Sequence, residues 1–316
     1  MLSFRAIDNT TCLPQDNRSE HMAKPSLLII GCGDLGVRVH RILSPLGWRV
    51  SGIRRRPEAI DTLPLHAADY TRSEDLALLE ELKPDYVLTT FTPISRDIDG
   101  YQLGFTRAAE NVIAGLGSHR PKRIIMASST RVYAEQNGAW VDEKSELSDT
   151  DPRAIAIATA EDHFLTAGLP ASIVRFGGLY GGPGPRLIER VLTGNANASS
   201  PIHYTNRVHR DDAAGFLAHL FTLAHTGAPL LSIYNGVDNE PASLQDIEAW
   251  LASQLQVELR RVPAADDAQS VAVGKRCRNQ RLRDSEYTLL YPDFRSGYVK
   301  LLPKPEPTPG TPPATD

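Results

Sequence analysis

Cysteine is scarce in this 316-residue chain: Cys12, Cys32 and Cys277 are the three present, widely spaced and without a CxxC pair. That is too few for a disulfide scaffold or a structural zinc site, and it fits a reducing compartment. Long apolar runs are missing as well. No stretch of ~18 apolar residues occurs, so no segment is suited to span a membrane. The mostly polar segment from Asn9 to Lys24 lacks the apolar block of a secretory signal. Neither sign of charge dominates, since 34 Lys and Arg against 38 Asp and Glu leave a formal net charge of −4. With no long basic run, this argues against nucleic acid as the main partner. The nine histidines show no HxxxH or HExxH spacing, so no metal site is expected. No G-x-S-x-G elbow is present, which removes the usual hydrolase reading. These absences lead us to expect a bacterial-style cytoplasmic protein.

What is present suits a globular chain of roughly two domains: hydrophobic residues make up 41% and charged residues 23%. Residues 1–24 read as a disordered leader, with Met22 as an alternative start. The Pro-rich tail at 303–316 cannot bury a core. Between these ends, short apolar runs alternate with helix-period segments. Ser26 to Ile30 reads as a first strand, and Leu35, Val39, Ile42, Leu43 and Leu46 follow on one helical face closed by Pro45 and Gly47. Further strands are expected at Trp48–Ile53, Leu65–Ala68, Asp85–Thr90, Lys122–Ala127 and Ala171–Phe176. Ser73 is expected to cap a short helix to Leu82. Longer helices carry Tyr101, Phe105, Ala108, Val112 and Leu116, and then Arg153 to Ala167. Strand–helix alternation of this kind predicts an α/β, Rossmann-type doubly wound parallel sheet over residues 25–176. After Phe176 the pattern breaks, and residues 177–302 read mainly as a smaller substrate lobe. It holds a helix at Ser243–Leu255, and a helix at about 211–223 returns to the sheet.

The strongest motif is Gly31-Cys32-Gly33-Asp34-Leu35-Gly36, a G-x-G-x-x-G directly after a strand and opening a helix. Gly31 permits the tight turn, Gly33 lets backbone N–H groups approach a pyrophosphate, and Gly36 lets the helix pack closely on the strand. Sites selective for NAD place an acid at the end of strand two, about 20 residues after the first glycine. Here that stretch is Ser51-Gly52-Ile53-Arg54-Arg55-Arg56, and no acid occurs between Gly36 and Glu58. Guanidinium groups suit a 2′-phosphate by charge and forked geometry, so NADP(H) is favoured over NAD(H), with Arg54 and Arg55 as candidates. The alternative is that the three arginines form a solvated turn.

Several signatures in order resemble the extended short-chain dehydrogenase/reductases, the NAD(P)-dependent epimerase/dehydratase family. They are the glycine loop, Asp69 after strand three, and Ser128-Ser129-Thr130-Arg131-Val132-Tyr133 after strand five. Arg175 to Gly184 (RFGGLYGGPG) and Val208-His209-Arg210-Asp211-Asp212 complete a set spanning roughly residues 26 to 215. The resemblance implies that Asp69 contacts the adenine, that Phe91 and Thr92 line the ribose and nicotinamide side with Ser128, and that Ser129 is the catalytic hydroxyl. It also implies a homodimer through the helices after strands four and five. Asp69 reads equally well as a turn carboxylate, and Ser129 as a hydroxyl satisfying a strand end.

One part of that pattern is missing. The family's Y-x-x-x-K proton relay falls on the helix before strand six, where alignment on Glu161 puts Arg153 at the tyrosine position and Ile157 at the lysine position. Isoleucine moves no proton, and arginine, with a pKa above ~12, is a poor acid or base at neutral pH. Gly178 stands where many members carry asparagine. The pattern resembles the atypical, YeeZ-like branch with its degenerate site. Tyr133 and Tyr180 are the nearest tyrosines by motif, either packing residues or substitutes, and Tyr133 is kept as a catalytic candidate beside Ser129. His209 reads as a structural residue of the returning segment. His163 could sit near the sheet or at the surface. Tyr234-Asn235 resembles a family pair near the start of the substrate lobe, and Gly274-Lys275-Arg276 reads as a basic loop. Two functions remain open: an atypical oxidoreductase or epimerase-like enzyme acting on a sugar nucleotide or small carbonyl compound, or a catalytically inactive dinucleotide-binding sensor or regulatory protein.

Overall fold

The apolar runs lie side by side in one parallel sheet in the computed structural model, which describes residues 24–58, 60, 62–182, 186–196, 201–260 and 272–303. Its first five strands are Ser26–Ile30 (β1), Arg49–Arg54 (β2), Leu65–Ala67 (β3), Tyr86–Thr89 (β4) and Arg123–Ser129 (β5). Asp34–Leu43 (α1) and Leu78–Leu82 (α2) lie between them. Ile98–Tyr101 (α3), a π-helical stretch Gln102–Arg107 and Ala108–Gly115 (α4) then run on as one helix. The chain continues through Asn137–Val141 (β6), Pro152–Thr166 (α5), Ala171–Phe176 (β7), Gly178–Tyr180 (β8) and Arg186–Leu192 (α6). His203–Tyr204 (β9), Arg207–His209 (β10), Arg210–His225 (α7), Ile233–Gly236 (β11) and Leu244–Leu255 (α8) follow, and Val273–Cys277 (β12), Gln280–Asp284 (α9) and Phe294–Tyr298 (α10) close the described chain.

The order across the large sheet is β11-β7-β5-β4-β1-β2-β3, so the chain leaves β1 in one direction for β2 and β3 and returns on its other side through β4. That reversal opens a crevice at the carboxyl ends of β1 and β4, the place where doubly wound sheets bind ligands. Alternate residues of β1 serve opposite faces. Leu28 and Ile30 pack with Val112, Ile157 and Phe164 of α4 and α5, while Leu27 and Ile29 pack with Val39 and Leu43 of α1 and Phe216 and Leu220 of α7. All four β1 residues are at most 1% exposed, and each contributes about 1.5–3 kcal/mol by leaving water. A third cluster, including Ile188, Val191, Ile247, Leu251 and Phe294, supports the smaller lobe.

The sheet differs from the expectation in its last strand. β11 pairs in parallel with β7, so Tyr234 and Asn235 belong to the large sheet and not to the start of the substrate lobe. The helix at 211–223 is α7, and it packs against α1. Gly274-Lys275-Arg276 is no loop: it lies in β12, the central strand of a β6-β12-β9 sheet, and Lys275 is buried. The first helix also ends sooner than its apolar spacing suggests. α1 stops at Leu43, a 3-10 turn carries Pro45, and Leu46 is exposed. Ser73 makes no side-chain cap; a 3-10 turn at Glu74–Leu76 precedes α2 instead. The expected leader and tail fall on residues outside those described, apart from Lys24 and Pro303.

One buried ion pair ties the sheet to α5. Glu161 of α5 accepts from Arg175 of β7 at 2.6 Å and 3.1 Å on one oxygen, and from Ser128 Oγ of β5 at 2.5 Å on the other. Both charged side chains are almost fully buried. The Arg175 guanidinium lies 4.9 Å over the Tyr133 ring. Removing one partner of such a pair strands the other charge in the interior. Glu161→Ala should therefore lose about 3–5 kcal/mol of stability, read as a lower urea midpoint, with Glu161→Gln losing less.

Candidate functional site

The turn from β1 into α1 places three glycines for three separate reasons. Gly31 has φ +82°, and a Cβ there would meet the Thr90 carbonyl oxygen at 2.9 Å and the Tyr70 ring at 3.2 Å. A Cβ at Gly36 would stand 2.8 Å from Ile29 Cγ2 and 3.0 Å from Cys32 Sγ, so the helix can seat on the strand only without a side chain there. Gly33 is different. Apart from its neighbours, a Cβ there would have only the Gly31 carbonyl oxygen nearby, at 3.8 Å, so the space above it is open. The N–H groups of Asp34, Leu35 and Gly36 begin α1 with no intrahelical acceptor and no side-chain cap. Open space over free donors at a positive helix end could hold an anion such as a diphosphate.

Two adjoining clefts meet at this turn. The first, of ≈ 470 Å³, is lined by Gly31, Cys32, Gly33, Arg54, Arg55, Arg56, Tyr70 and Thr92. The second, of ≈ 360 Å³, continues over Asp34, Leu35, Phe91 and Thr92 to Ser128, Ser129, Gly177, Leu179 and Arg210. The structure thus brings together Gly31, Gly33, Asp34, Leu35, Arg54, Arg55, Phe91, Thr92, Ser128 and Ser129, with Gly36 as the packing residue behind them. Asp69 lies aside. Its carboxylate accepts from the Thr71 N–H at 3.0 Å and hydroxyl at 2.7 Å, and it borders a shallow hollow with Arg55 and Arg72. Cys32 is buried, and burial pushes its thiol up to about 11, so it serves packing.

Around Ser129 the two serines divide. Ser128 is committed to Glu161, whereas the half-buried Ser129 Oγ accepts the Arg131 N–H at 3.2 Å and borders the second cleft. Tyr133 does not join it. It is fully buried, its hydroxyl donates to Asn235 Oδ1 at 2.6 Å, burial pushes its pKa up, and it borders neither cleft. Tyr133, a catalytic candidate by its motif, thus lies in the core and away from both clefts. Tyr180 stacks on Tyr298 at 4.8 Å, with its pKa likewise raised by burial. At the relay positions, Ile157 is buried in the core, and the Arg153 guanidinium lies 5.7 Å over the Tyr101 ring. His163 pairs with Glu110 at 3.4 Å. His209 caps α7 by accepting the Asp211 N–H at 3.2 Å, and burial holds its pKa below the ordinary histidine value. Among the described residues no group of three or more His, Cys, Asp or Glu could hold a metal ion.

The site holds residues that the sequence did not single out. Thr90 Oγ1 donates to the Gly31 carbonyl at 2.8 Å, and Tyr70 packs against Phe91 at 5.1 Å and bonds Thr92. Arg210 reaches Asp34 from 176 positions away. Its only sequence signal is its place in the Val208–Asp212 segment.

Fold and site together define a Rossmann-type nucleotide-binding protein. Residues 31–223 match the family described as NAD(P)H-binding. The NAD-dependent epimerase/dehydratase structure from Methylobacillus flagellatus is 31% identical, with a TM-score of 0.73, covering 88% of this chain and 97% of its own. The chain accordingly belongs to the NAD(P)H-binding, NAD-dependent epimerase/dehydratase family of short-chain dehydrogenase/reductases, as an atypical member. Protein YeeZ of Escherichia coli K12 is 29% identical over 216 residues, 66% of this chain and 75% of YeeZ. UDP-glucose 4-epimerase of Thermus thermophilus, solved in complex with NAD, shares the fold at 18% identity, with a TM-score of 0.68 over 86% of this chain and 96% of its own.

The second and third glycines of the loop should respond oppositely to alanine. Gly33→Ala, at φ −95°, should melt like wild type yet bind nicotinamide dinucleotides at least ~10-fold more weakly, because its methyl fills the diphosphate space. Gly36→Ala should lose about 1–3 kcal/mol of stability through overpacking. Thermal melts paired with fluorescence titration separate the two.

Proposed function

We propose that this chain binds NADP(H) in preference to NAD(H) and acts as an atypical oxidoreductase or epimerase-like enzyme on a sugar nucleotide or small carbonyl compound. The observation that carries the reading is the uncapped start of α1 beneath a cleft whose far wall presents Ser129. A nicotinamide cofactor held there would supply reversible hydride exchange. The chain's own part is to grip the diphosphate with the first N–H groups of α1 and to polarise a substrate oxygen with the Ser129 hydroxyl. The Arg131 N–H fixes the direction of that hydroxyl. Preference for the 2′-phosphate rests on Arg54, Arg55 and Arg56, which line the first cleft and make no ion pair with a described residue. Losing the tyrosine–lysine relay removes a contribution of ~10²–10⁴ in rate, so turnover should be slow. Arg153 and Ile157 at the relay positions are the specific support for the second reading, a dinucleotide-binding sensor without turnover.

The assembly proposed is a homodimer through α3–α4 and α5. A groove between these helices is lined by Ile98, Leu103, Thr106, Ile155 and Ala156, with Leu103 and Ile155 exposed. We place the protein in the cytoplasm, with small molecules and not nucleic acid as ligands. The described cysteines, Cys32 and Cys277, are buried and unpaired, as suits a reducing compartment. Among the described residues no helix is long and apolar enough to cross a membrane.

Titration with both cofactors should show NADPH binding ~10–100-fold tighter than NADH, the range expected of charge-assisted hydrogen bonds to one phosphate. Arg54→Ala with Arg55→Ala should erase the difference; equal or tighter NADH binding by the wild type overturns the preference. A screen of NADPH oxidation against aldehydes, ketones and sugar nucleotides should find slow turnover that falls further in Ser129→Ala. Binding without turnover would select the sensor. Light scattering should report a dimer, and a monomer refutes the proposed interface.

A further inference from the structure

Beside the glycine loop, at the edge of the second cleft, stands a guanidinium that the dinucleotide reading does not use. Arg210 is the first residue of α7, and its side chain reaches back over the start of α1, where Nη1 donates to Asp34 Oδ2 at 3.0 Å. Asp34 also accepts from Arg38 Nε at 3.1 Å, and Arg38 pairs with Asp211 beyond it. Two arginines and two aspartates therefore alternate along the seam between α1 and α7. Arg210 differs from the rest of the set, because its Nε is buried without a hydrogen-bond partner. Its guanidinium also borders the cleft with Asp34, Leu35 and Ser129. Gly182 closes over it: a Cβ there would stand 2.6 Å from both the guanidinium carbon and Nη1, so any side chain at 182 would displace the arginine.

A buried donor left unpaired costs free energy, and a guanidinium beside open space satisfies that donor best with a bidentate anion. The anion must be one that the first N–H groups of α1 also accept. Resting on the dinucleotide reading above, we infer that Arg210 is a binding residue for the cofactor's diphosphate, which closes on it from the side opposite α1 after exchanging its bond with Asp34. The Asp34 carboxylate acts as an internal stand-in for the phosphate. It occupies the guanidinium in the free protein and must release it when the ligand arrives. The two residues of one contact therefore have opposite effects on affinity: Arg210 favours the ligand, and Asp34 opposes it by competing for the guanidinium and by repelling the diphosphate.

The test is fluorescence titration of the full chain with NADPH, with adenosine 2′-phosphate as a competitor that lacks the diphosphate. Arg210→Ala should weaken NADPH by ~10–100-fold and leave adenosine 2′-phosphate unchanged. Arg210→Lys should recover only part of the loss, since an ammonium cannot bond both oxygens of a fork. Asp34→Asn should tighten NADPH. If Arg210→Ala fails to fold, the sign of the Asp34→Asn effect still decides. Tighter binding supports the exchange, whereas weaker or unchanged binding shows that the contact is only a brace between helices and overturns it. Wild-type-like NADPH binding by a folded Arg210→Ala overturns it as well. Wild type that binds no dinucleotide is a separate result, and it removes the reading beneath the inference.

Discussion

How closely α1 can sit on the sheet decides whether this protein has a ligand site. The constraint centres on one buried thiol. Cys32 lies between Gly36 on α1 and Gly52 on β2, and a Cβ at Gly52 would stand 2.7 Å from Cys32 Cβ and 2.8 Å from its Sγ. Glycine on both sides lets the helix come down onto β1 and β2, and this carries the three free N–H groups of its first turn to the mouth of the crevice. Gly31 anchors the other end, its N–H and that of Cys32 both donating to the Ile53 carbonyl, at 3.1 Å and 2.9 Å. The loop is thus stitched to β2 on one side, to Thr90 after β4 on the other, and cannot rise. Preorganisation of this kind lowers the free-energy cost of ordering the receptor when a ligand binds.

Packing and ion pairing, rather than acid and base side chains, occupy the middle of α5. At the positions where the family carries a proton relay, this chain has Ile157 in the core and Arg153 stacked on Tyr101. One turn on, Glu161 holds Arg175 and Ser128. A buried bidentate pair is satisfied only in one geometry, so it fixes the end of β5 even where its net contribution to stability is small. Ser129 follows directly, with its oxygen oriented by the Arg131 N–H. Through Glu161 and Ser128, α5 orders the strand end that carries the Ser129 hydroxyl. Neither a slow enzyme nor a sensor needs more from α5 than this, and both need the dinucleotide bound.

Local signals made most of this legible. The strand runs from Ser26 to Phe176 and the glycine loop depend on period, turn chemistry and spacing, all of which act over a few residues, and the parallel sheet follows from their alternation. Gly52 and Arg210 could not be found that way. Gly52 is required by a side chain from the preceding crossover, and Arg210 acts on a residue 176 positions earlier. Lys275 looked like a surface cation because its neighbours are Gly274 and Arg276. Its ammonium is in fact buried, donating to the Tyr133 carbonyl at 2.7 Å, and only the alternation of β12 between two faces turns it inward while Arg276 stacks on Trp140 at 5.0 Å. The apolar spacing of α1 overran its true end because Leu46 belongs to the Pro45 turn and faces solvent. The motif around Tyr133 carries no signal of its burial, which comes from packing against residues as distant as Asn235.

The same non-local bonds join the smaller lobe to the sheet. Asn206, beside β10, donates to the Lys275 carbonyl at 3.0 Å and accepts the Cys277 N–H at 2.7 Å. Asn235 on β11 accepts from Tyr133 and donates to the Arg278 carbonyl at 2.9 Å, and its own N–H goes to Glu143 at 2.9 Å. Each of these amides is partnered on both its oxygen and its nitrogen. A network with every member satisfied is stiff, because shifting one group leaves another unpaired in a low-dielectric interior. β12 and the residues after Ser129 are therefore held in one frame with β7 and β11. Arg210, by contrast, borders the cleft with a buried Nε that has no hydrogen-bond partner. A stiff frame beside a guanidinium with an unmatched donor is an arrangement that favours an anion over a neutral ligand.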